Sequence, residues 1–169
     1  DLSVGVERIV NSPATRYGSA IEMSRQAVFR DRGQWADPQN SANTYLHYYY
    51  YGEAIALALD MELRSGFDSD LDRFMRLLWE RFGRDEVSYA LPDLERTLAD
   101  VSDEHFAESF VGRYIEGRET ADYKQLLLAA GFVVRAERPA EAWIGNATLN
   151  DRASGCSIDG AFFGARNQH

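Results

Sequence analysis

Apolar residues recur at helical spacing through the middle of this chain, and a strand-like pattern replaces them near its end. From Thr44 to Arg64 the sequence is rich in Ala, Leu, Met and Glu, and Ser65-Gly66 follows as a helix stop. This stretch predicts the longest helix. Apolar spacing and capping residues predict shorter helices over residues 20–29, 69–82, 91–101, 104–115 and 122–130.

The connections between these predicted helices are short, which favours antiparallel neighbours in a compact bundle. After Gly131, the segments 132–134 and 143–149 are rich in apolar and aromatic residues and read as strands. We therefore expect a mainly α fold, a helical bundle with a few short β-strands after residue 131. The change in pattern predicts a helical part over 1–131, a linker over 132–142 and a separate unit that begins at 143.

Two further expectations concern the helices themselves. Ser69 and Asp72 form a capping-box-like start for the helix that follows them. Aromatic residues at helical spacing usually pack. We expect the following ones in the core: Phe67, Phe74, Trp79, Phe82, Phe106 and Phe110.

Composition excludes several classes of function. With 18 basic and 27 acidic residues among 169, the chain carries a formal charge of −9 and should repel nucleic acid. Its longest apolar run, Ala54 to Leu59, is far below the roughly 20 residues that a membrane span needs. A single cysteine, Cys156, excludes an internal disulfide and a thiolate zinc cluster, but leaves a cytoplasmic or a periplasmic location open. Because the sequence starts at Asp1, without an initiator Met, we expect a processed product or an excised piece.

Sequence motifs for catalysis are missing. The three histidines, His47, His105 and His169, lack the His-Glu-x-x-His spacing of a zinc metallopeptidase, so we expect no metal and no cofactor site in this chain. His105 lies beside Phe106 in a predicted helix, which favours a structural imidazole. The acidic clusters at 68–72 and 100–104 most simply cap helices, and calcium binding is a weaker alternative because the EF-hand pattern is absent.

One constellation stands out: the four consecutive tyrosines Tyr48 to Tyr51, which follow His47 and precede Gly52. Successive helical residues are rotated by about 100°, so four in a row cannot share one buried face. At least one tyrosine must therefore face a groove, a neighbouring unit or solvent. Helical spacing places Tyr49 on a stripe with both acids of an otherwise apolar stretch, Glu53 and Asp60, which puts it on the polar side.

These tyrosines have two interpretations from the pattern alone. In the first, they pack in the core and their hydroxyls bond to the backbone. In the second, one phenol donates a hydrogen bond to a developing oxyanion, because a neutral phenol is a suitable donor in a desolvated site.

Four segments resemble a known family. Tyr48 to Arg64 resembles the Ser-Tyr-Tyr-x-Lys-Gly-x-x-x-x-x-x-Leu-Asp-x-x-x-Arg segment of the glycyl aminopeptidase family. Asp70 to Gly83 resembles that family's Leu-Asp-Asp-x-Met-Arg-x-Leu-Trp-Glu-Arg-Tyr-Gly helix. Phe110 to Gly117 and Tyr123 to Gly131 resemble its Phe-x-x-Tyr-Val-x-Gly and Leu-x-x-Ala-Gly-Leu segments. The likeness runs from about Ser12 to Gly131.

The resemblance implies a gluzincin-type zinc metallopeptidase with a thermolysin-like catalytic domain and a trailing PDZ domain. It implies that Tyr49, three residues before Gly52, stabilises the tetrahedral intermediate, with Tyr48 as the alternative. The family's Lys and Ser positions are Tyr51 and His47 here. Its zinc ligands and general-base Glu would precede Asp1, and residues 143–169 would be the truncated start of the PDZ domain.

Two functions follow as hypotheses. The first is a helical piece of a zinc aminopeptidase that removes Gly or Ala from peptide N-termini, paired with an upstream zinc-binding half and inactive alone. The second is a non-enzymatic helical module that docks a partner through exposed tyrosines. In either case an uncovered apolar face would favour self-association.

Overall fold

Seven α-helices account for about half of the residues that the structure describes. The structure is a computed structural model that describes residues 6, 8–10, 12–30, 40–135, 147–149, 155–158 and 161–165. A 3₁₀ turn, Pro13–Arg16, precedes the helices. They are α1 (Ala20–Arg30), α2 (Ser41–Thr44), α3 (Tyr48–Gly66), α4 (Leu71–Leu78), α5 (Leu91–Ala99), α6 (Glu104–Phe110) and α7 (Tyr123–Ala129).

Aspartates begin three of the helices. The carboxylates of Asp70, Asp103 and Asp122 accept hydrogen bonds from the backbone N–H groups of α4, α6 and α7, at 2.7, 2.7 and 3.0 Å. The predicted start of α4 at Ser69 is therefore one residue early. Ser69 is buried, and its hydroxyl has no hydrogen-bond partner among the residues described.

The longest helix is shorter at its start than the sequence predicts. The predicted helix began at Thr44, but α2 ends there, and three residues of extended chain separate it from Tyr48. The end near Gly66 is confirmed: the Phe67 N–H donates to the carbonyl of Leu63, at 3.0 Å, and closes the last turn. Asp68 then takes a positive φ of 46° and turns the chain towards α4.

Helices α4 and α6 both end in a wide, π-type turn, over Trp79–Gly83 and Val111–Glu116. The first wide turn is tied to α5 by Arg81. Its guanidinium donates to the buried Thr97 hydroxyl at 3.2 Å and pairs with Asp100 at 2.6 Å. This widening is why the predicted 69–82 and 104–115 helices appear as a regular helix followed by a wide turn.

The core lies between α3 and the helices around it. α3 packs against α1, α4 and α7, and the chain pairs α4 with α5 and α5 with α6. The residues that α3 buries are Tyr51, Ala54, Ala58, Leu59 and Leu63. Of the predicted aromatic core, Phe74 and Phe110 are buried, whereas the prediction for Trp79 is wrong: its side chain is 62% exposed and lies over Gly83.

A four-stranded antiparallel sheet follows the helices. Its strands are β1 (Phe132–Arg135), β2 (Ala147–Leu149), β3 (Gly155–Ile158) and β4 (Ala161–Ala165), in the order β1-β4-β3-β2. β1 pairs with β4 in a register that sets Phe132 opposite Ala165. The predicted strand at 132–134 is confirmed, and of the predicted 143–149 strand the part at 147–149 is confirmed while 143–146 lies outside the described residues.

The mainly α bundle with short strands after residue 131 is confirmed. The division into a helical part, a linker at 132–142 and a PDZ-like unit from 143 stays a prediction. No helix in the described ranges combines the length and the apolar character that crossing a membrane requires.

Candidate active-site face

The tyrosine run occupies the first turn of α3, and His47 fixes where that turn begins. His47 has an extended backbone, with φ −58° and ψ 131°, and its imidazole Nδ1 accepts a hydrogen bond from the Tyr49 N–H at 3.2 Å. A side-chain acceptor at this position satisfies one of the N–H groups that the first helical turn leaves unpaired. The imidazole therefore serves as the helix cap here.

The four tyrosines have different environments, as consecutive helical positions must. Tyr51 is 1% exposed and Tyr49 is 67% exposed, whereas Tyr48 and Tyr50 are partly buried. The prediction that at least one tyrosine faces outward is confirmed, and Tyr49 is that residue. Tyr51 is buried, as the core interpretation expects, but its hydroxyl bonds to no described residue, so the expected bond to the backbone is wrong for Tyr51.

Aromatic contacts hold the exposed ring in place. The His47 ring stacks on that of Tyr48, with centroids 4.8 Å apart, and lies 4.8 Å from that of Tyr49. The Tyr48 and Tyr49 ring centroids are 4.4 Å apart. The Arg8 guanidinium lies over the Tyr50 ring, 4.1 Å from its centroid. Tyr49 thus projects outward from a cluster of rings and is not an isolated side chain.

The two acids on the Tyr49 stripe have separate roles. Glu53, one turn after Tyr49, is partly buried. Asp60, farther along, accepts hydrogen bonds from the Leu71 N–H and from the Arg64 Nε, both at 2.9 Å. Burial alone would raise the pKa of Asp60, but these two bonds and the Arg64 charge outweigh burial and hold that pKa below its ordinary value. Asp60 therefore joins α3 to α4.

Three buried phenols lie behind this face. Burial raises the pKa of Tyr51, Tyr114 and Tyr123, and for Tyr123 the nearby Tyr51, Tyr114 and Glu62 reinforce the effect. Within the described residues, the Tyr51 hydroxyl has no hydrogen-bond partner. Nothing in the sequence pattern marks these three residues as neighbours, because they come from α3, the turn after α6 and α7.

His105 is exposed on α6, at the edge of a cleft, so the expectation that it packs as a structural imidazole is wrong. The acidic clusters do act as caps, through Asp70 and Asp103. In the part of the chain that the structure describes, no group of three or more His, Cys, Asp or Glu side chains could hold a metal ion.

A solved structure is similar to this chain. It is the crystal structure of the aminopeptidase N family protein from Idiomarina loihiensis, with a TM-score of 0.68 and 21% sequence identity. The match covers 93% of this chain and 29% of that one. The chain has the fold of part of that aminopeptidase.

This likeness confirms the expected helical-bundle fold. The chain spans less than a third of the length of the protein that it matches, at 29%. No protein-family model matches the sequence, and no curated protein matches it. The finer assignments, to the glycyl aminopeptidases and to a trailing PDZ domain, stay predictions.

Proposed function

We propose that this chain forms one wall of the active-site cleft of a zinc aminopeptidase, in which the Tyr49 hydroxyl stabilises the tetrahedral intermediate. The observation that carries the proposal is the position of Tyr49, which is 67% exposed in the first turn of the longest helix. The resemblance of 48–64 to the tyrosine-containing segment of the family supports the same residue.

The chemistry needed from Tyr49 is simple. When a nucleophile adds to the peptide carbonyl, the oxygen gains negative charge, and a neutral phenol can donate a hydrogen bond to it. The contacts of Tyr49 with His47 and Tyr48 limit the positions that its ring can take, which favours a preorganised donor. Tyr48 is the alternative donor, but its ring is stacked on that of His47 and is partly buried.

A metallopeptidase also needs a metal site, and the described residues of this chain do not fit one. We therefore assign no step of the reaction to a metal held here. In the proposed enzyme, zinc, its ligands and the general-base Glu belong to a preceding segment of polypeptide. The chain alone would then be inactive, and the resemblance suggests N-terminal Gly or Ala as the residues removed.

The test is Tyr49→Phe in a form of the protein that includes the zinc-binding segment. We expect kcat/KM on an alanine anilide to fall by about 10²–10³, because one oxyanion donor is lost. The melting temperature should not change, since the hydroxyl is exposed. Tyr50→Phe, which removes a hydroxyl from the adjacent ring, is the matched control and should retain activity.

Tyr48→Phe distinguishes the two candidate donors. A large loss in Tyr48→Phe together with full activity in Tyr49→Phe would move the role to Tyr48. Full activity in both variants would reject the proposal.

A second candidate is a non-enzymatic helical module that docks a partner, and one observation favours it. Val28 and Phe29, at the end of α1, are 87% and 81% exposed. Adjacent, almost fully exposed apolar side chains are typical of a contact surface when they form a patch. An active form of the longer protein would argue against this candidate as the main function.

A further inference from the structure

A cleft of about 280 Å³ opens on the side of the bundle where the second half of α3 meets α6. It lies far from the tyrosine run, since Glu62 is 13 residues after Tyr49 on one helix, or about 20 Å at 1.5 Å per residue. The side chains that line it are mostly aromatic or charged: Glu62, Phe67, Asp103, His105, Phe106, Ser109, Phe110, Arg113 and Tyr114.

Four aromatic rings line the cleft as a continuous row. The ring centroids of Phe67 and Phe106 are 4.8 Å apart, those of Phe106 and Phe110 are 5.6 Å apart, and those of Phe110 and Tyr114 are 5.0 Å apart. Aromatic faces attract cations as well as apolar groups. The row therefore suits a ligand that carries both a positive charge and an apolar group.

Glu62 lines the same cleft, its charge acts on Tyr114, and its side chain is partly buried. Among the described residues no side chain donates a hydrogen bond to it. Arg113 is the cation that acts on it, but the Arg113 Nε already donates to Glu119 at 2.8 Å, and its guanidinium lies over the Tyr114 ring at 4.8 Å. Burial raises the pKa of Glu62. The carboxylate therefore keeps acceptor positions that a ligand can use.

The charge around the cleft is negative. Glu62, Glu119 and Asp122 all act on Tyr114, and Arg113 is the cation that balances them there. Asp103 adds a further carboxylate at the edge, although its Oδ1 already caps α6. An anion would be repelled by this set of charges, and a cation would be attracted.

We propose that this cleft binds a primary ammonium group on an apolar stem, with the ammonium at Glu62 and the stem against the Phe67-to-Tyr114 row. Charge-assisted hydrogen bonds from the ammonium would satisfy the carboxylate, and the rings would cover the stem. The same chemistry is offered by a free small amine and by a lysine side chain of a peptide. The site does not depend on the function proposed for Tyr49.

Binding can be measured on the 169-residue chain itself by protein NMR. Phenethylamine represents the free amine, N-acetyl-lysine methylamide represents the lysine side chain, and 2-phenylethanol is the neutral control. We expect saturable shifts of the Glu62 and Phe106 amides and of the His105 ring with at least one amine, and none with the alcohol. The amine that binds more tightly identifies the source.

Glu62→Gln keeps the size of the side chain and removes its charge. We expect it to weaken amine binding by about tenfold or more, because the charge-assisted bond is lost. Glu108→Gln changes an exposed acid of α6 that does not line the cleft, and this matched control should bind as the wild type does. The proposal would be overturned if the amine and the alcohol bound equally well, or if Glu62→Gln bound the amine as tightly as the wild type does. The absence of a saturable shift with either amine would also overturn it.

Discussion

Glycine has different roles at two positions, Gly112 in the wide turn after α6 and Gly117 directly after that turn. A Cβ atom at Gly117 would lie 2.5 Å from the Gly112 carbonyl oxygen and 2.6 Å from that of Arg113. Both contacts are with backbone, which cannot rotate away. A Cβ atom at Gly112 would meet nothing within 4 Å. The first glycine is required by close packing, and the second is not.

We therefore expect Gly117→Ala to lower the free energy of unfolding by about 1–3 kcal/mol, since the added methyl forces the turn apart. Gly112→Ala should raise it by about 0.5–1 kcal/mol, because alanine restricts the unfolded chain. Urea unfolding of both variants measures the difference. Equal changes in the free energy of unfolding for the two variants would contradict the close packing at Gly117.

Tyr51 gives a second prediction for a single residue, because its buried hydroxyl has no hydrogen-bond partner in the part of the chain that the structure describes. Such a group lowers stability by about 1–3 kcal/mol. We expect Tyr51→Phe to be at least as stable as the wild type at pH 7. Exposed Tyr17 provides the control, and Tyr17→Phe should not change the free energy of unfolding.

The pH dependence of Tyr51 follows from its raised pKa. Below the ordinary phenol pKa of 10.0 this group gives the free energy of unfolding no pH dependence, and as the pH rises towards the folded value that free energy falls, because the unfolded chain ionises first. Denaturant titrations from pH 8 to 11 should show wild-type stability falling more steeply than that of Tyr51→Phe. If the free energy of unfolding of the wild type and of Tyr51→Phe fell in parallel with pH, the raised pKa of Tyr51 would be contradicted.

At the scale of elements, single polar side chains set how the helices join. Asp60 binds both the first N–H of α4 and the Arg64 side chain of its own helix. Arg81 joins the wide turn after α4 to Thr97 of α5. Apolar packing alone would allow the helices to slide past one another. These hydrogen bonds are directional and therefore fix how the helices are oriented.

Asp60→Asn tests the joint between α3 and α4. We expect the free energy of unfolding to fall by about 1 kcal/mol at pH 7. The effect is no larger because Arg64 is largely exposed and solvent weakens its ion pair with Asp60. Since the folded pKa of Asp60 lies below its ordinary 3.8, the stabilisation is present above pH 3.8 and is lost as the pH falls through the folded value. The difference in the free energy of unfolding between the variant and the wild type should therefore disappear in acid. A gap that is constant with pH would contradict the ionic origin.

At the scale of the whole molecule, long-range contacts tie the ends of the helical part together. The Arg118 guanidinium donates to the Arg16 carbonyl and to the Glu22 carboxylate, both at 3.2 Å. The apolar side chains of Val28 and Phe29, at the end of α1, are exposed and take no part in these contacts.

That surface predicts self-association of the isolated chain. Sedimentation velocity over a concentration series should show a mass that rises with concentration, since association removes apolar surface from water. The double variant Val28→Ser/Phe29→Ser should stay monomeric. Val87→Ser/Tyr89→Ser, an exposed pair elsewhere, is the control. A wild-type chain that is monomeric throughout would contradict the prediction.

Local pattern was sufficient for part of this protein. The spacing of apolar residues predicted α1, α3 and the helices that follow, because helix formation depends on neighbours three and four positions away. The rotation of successive residues was likewise enough to predict that one of four tyrosines faces outward, with Tyr49 as the residue on the polar side.

Tertiary contacts decided the rest. The exposure of Trp79 and His105, the cluster of Tyr51, Tyr114 and Tyr123, and the cleft at Glu62 all depend on residues that are distant in the sequence. Burial and pKa shifts arise from what packs against a side chain, and that depends on how the helices are arranged. Sequence spacing fixes which face a residue occupies on its own helix, but only the assembled bundle determines what covers that face.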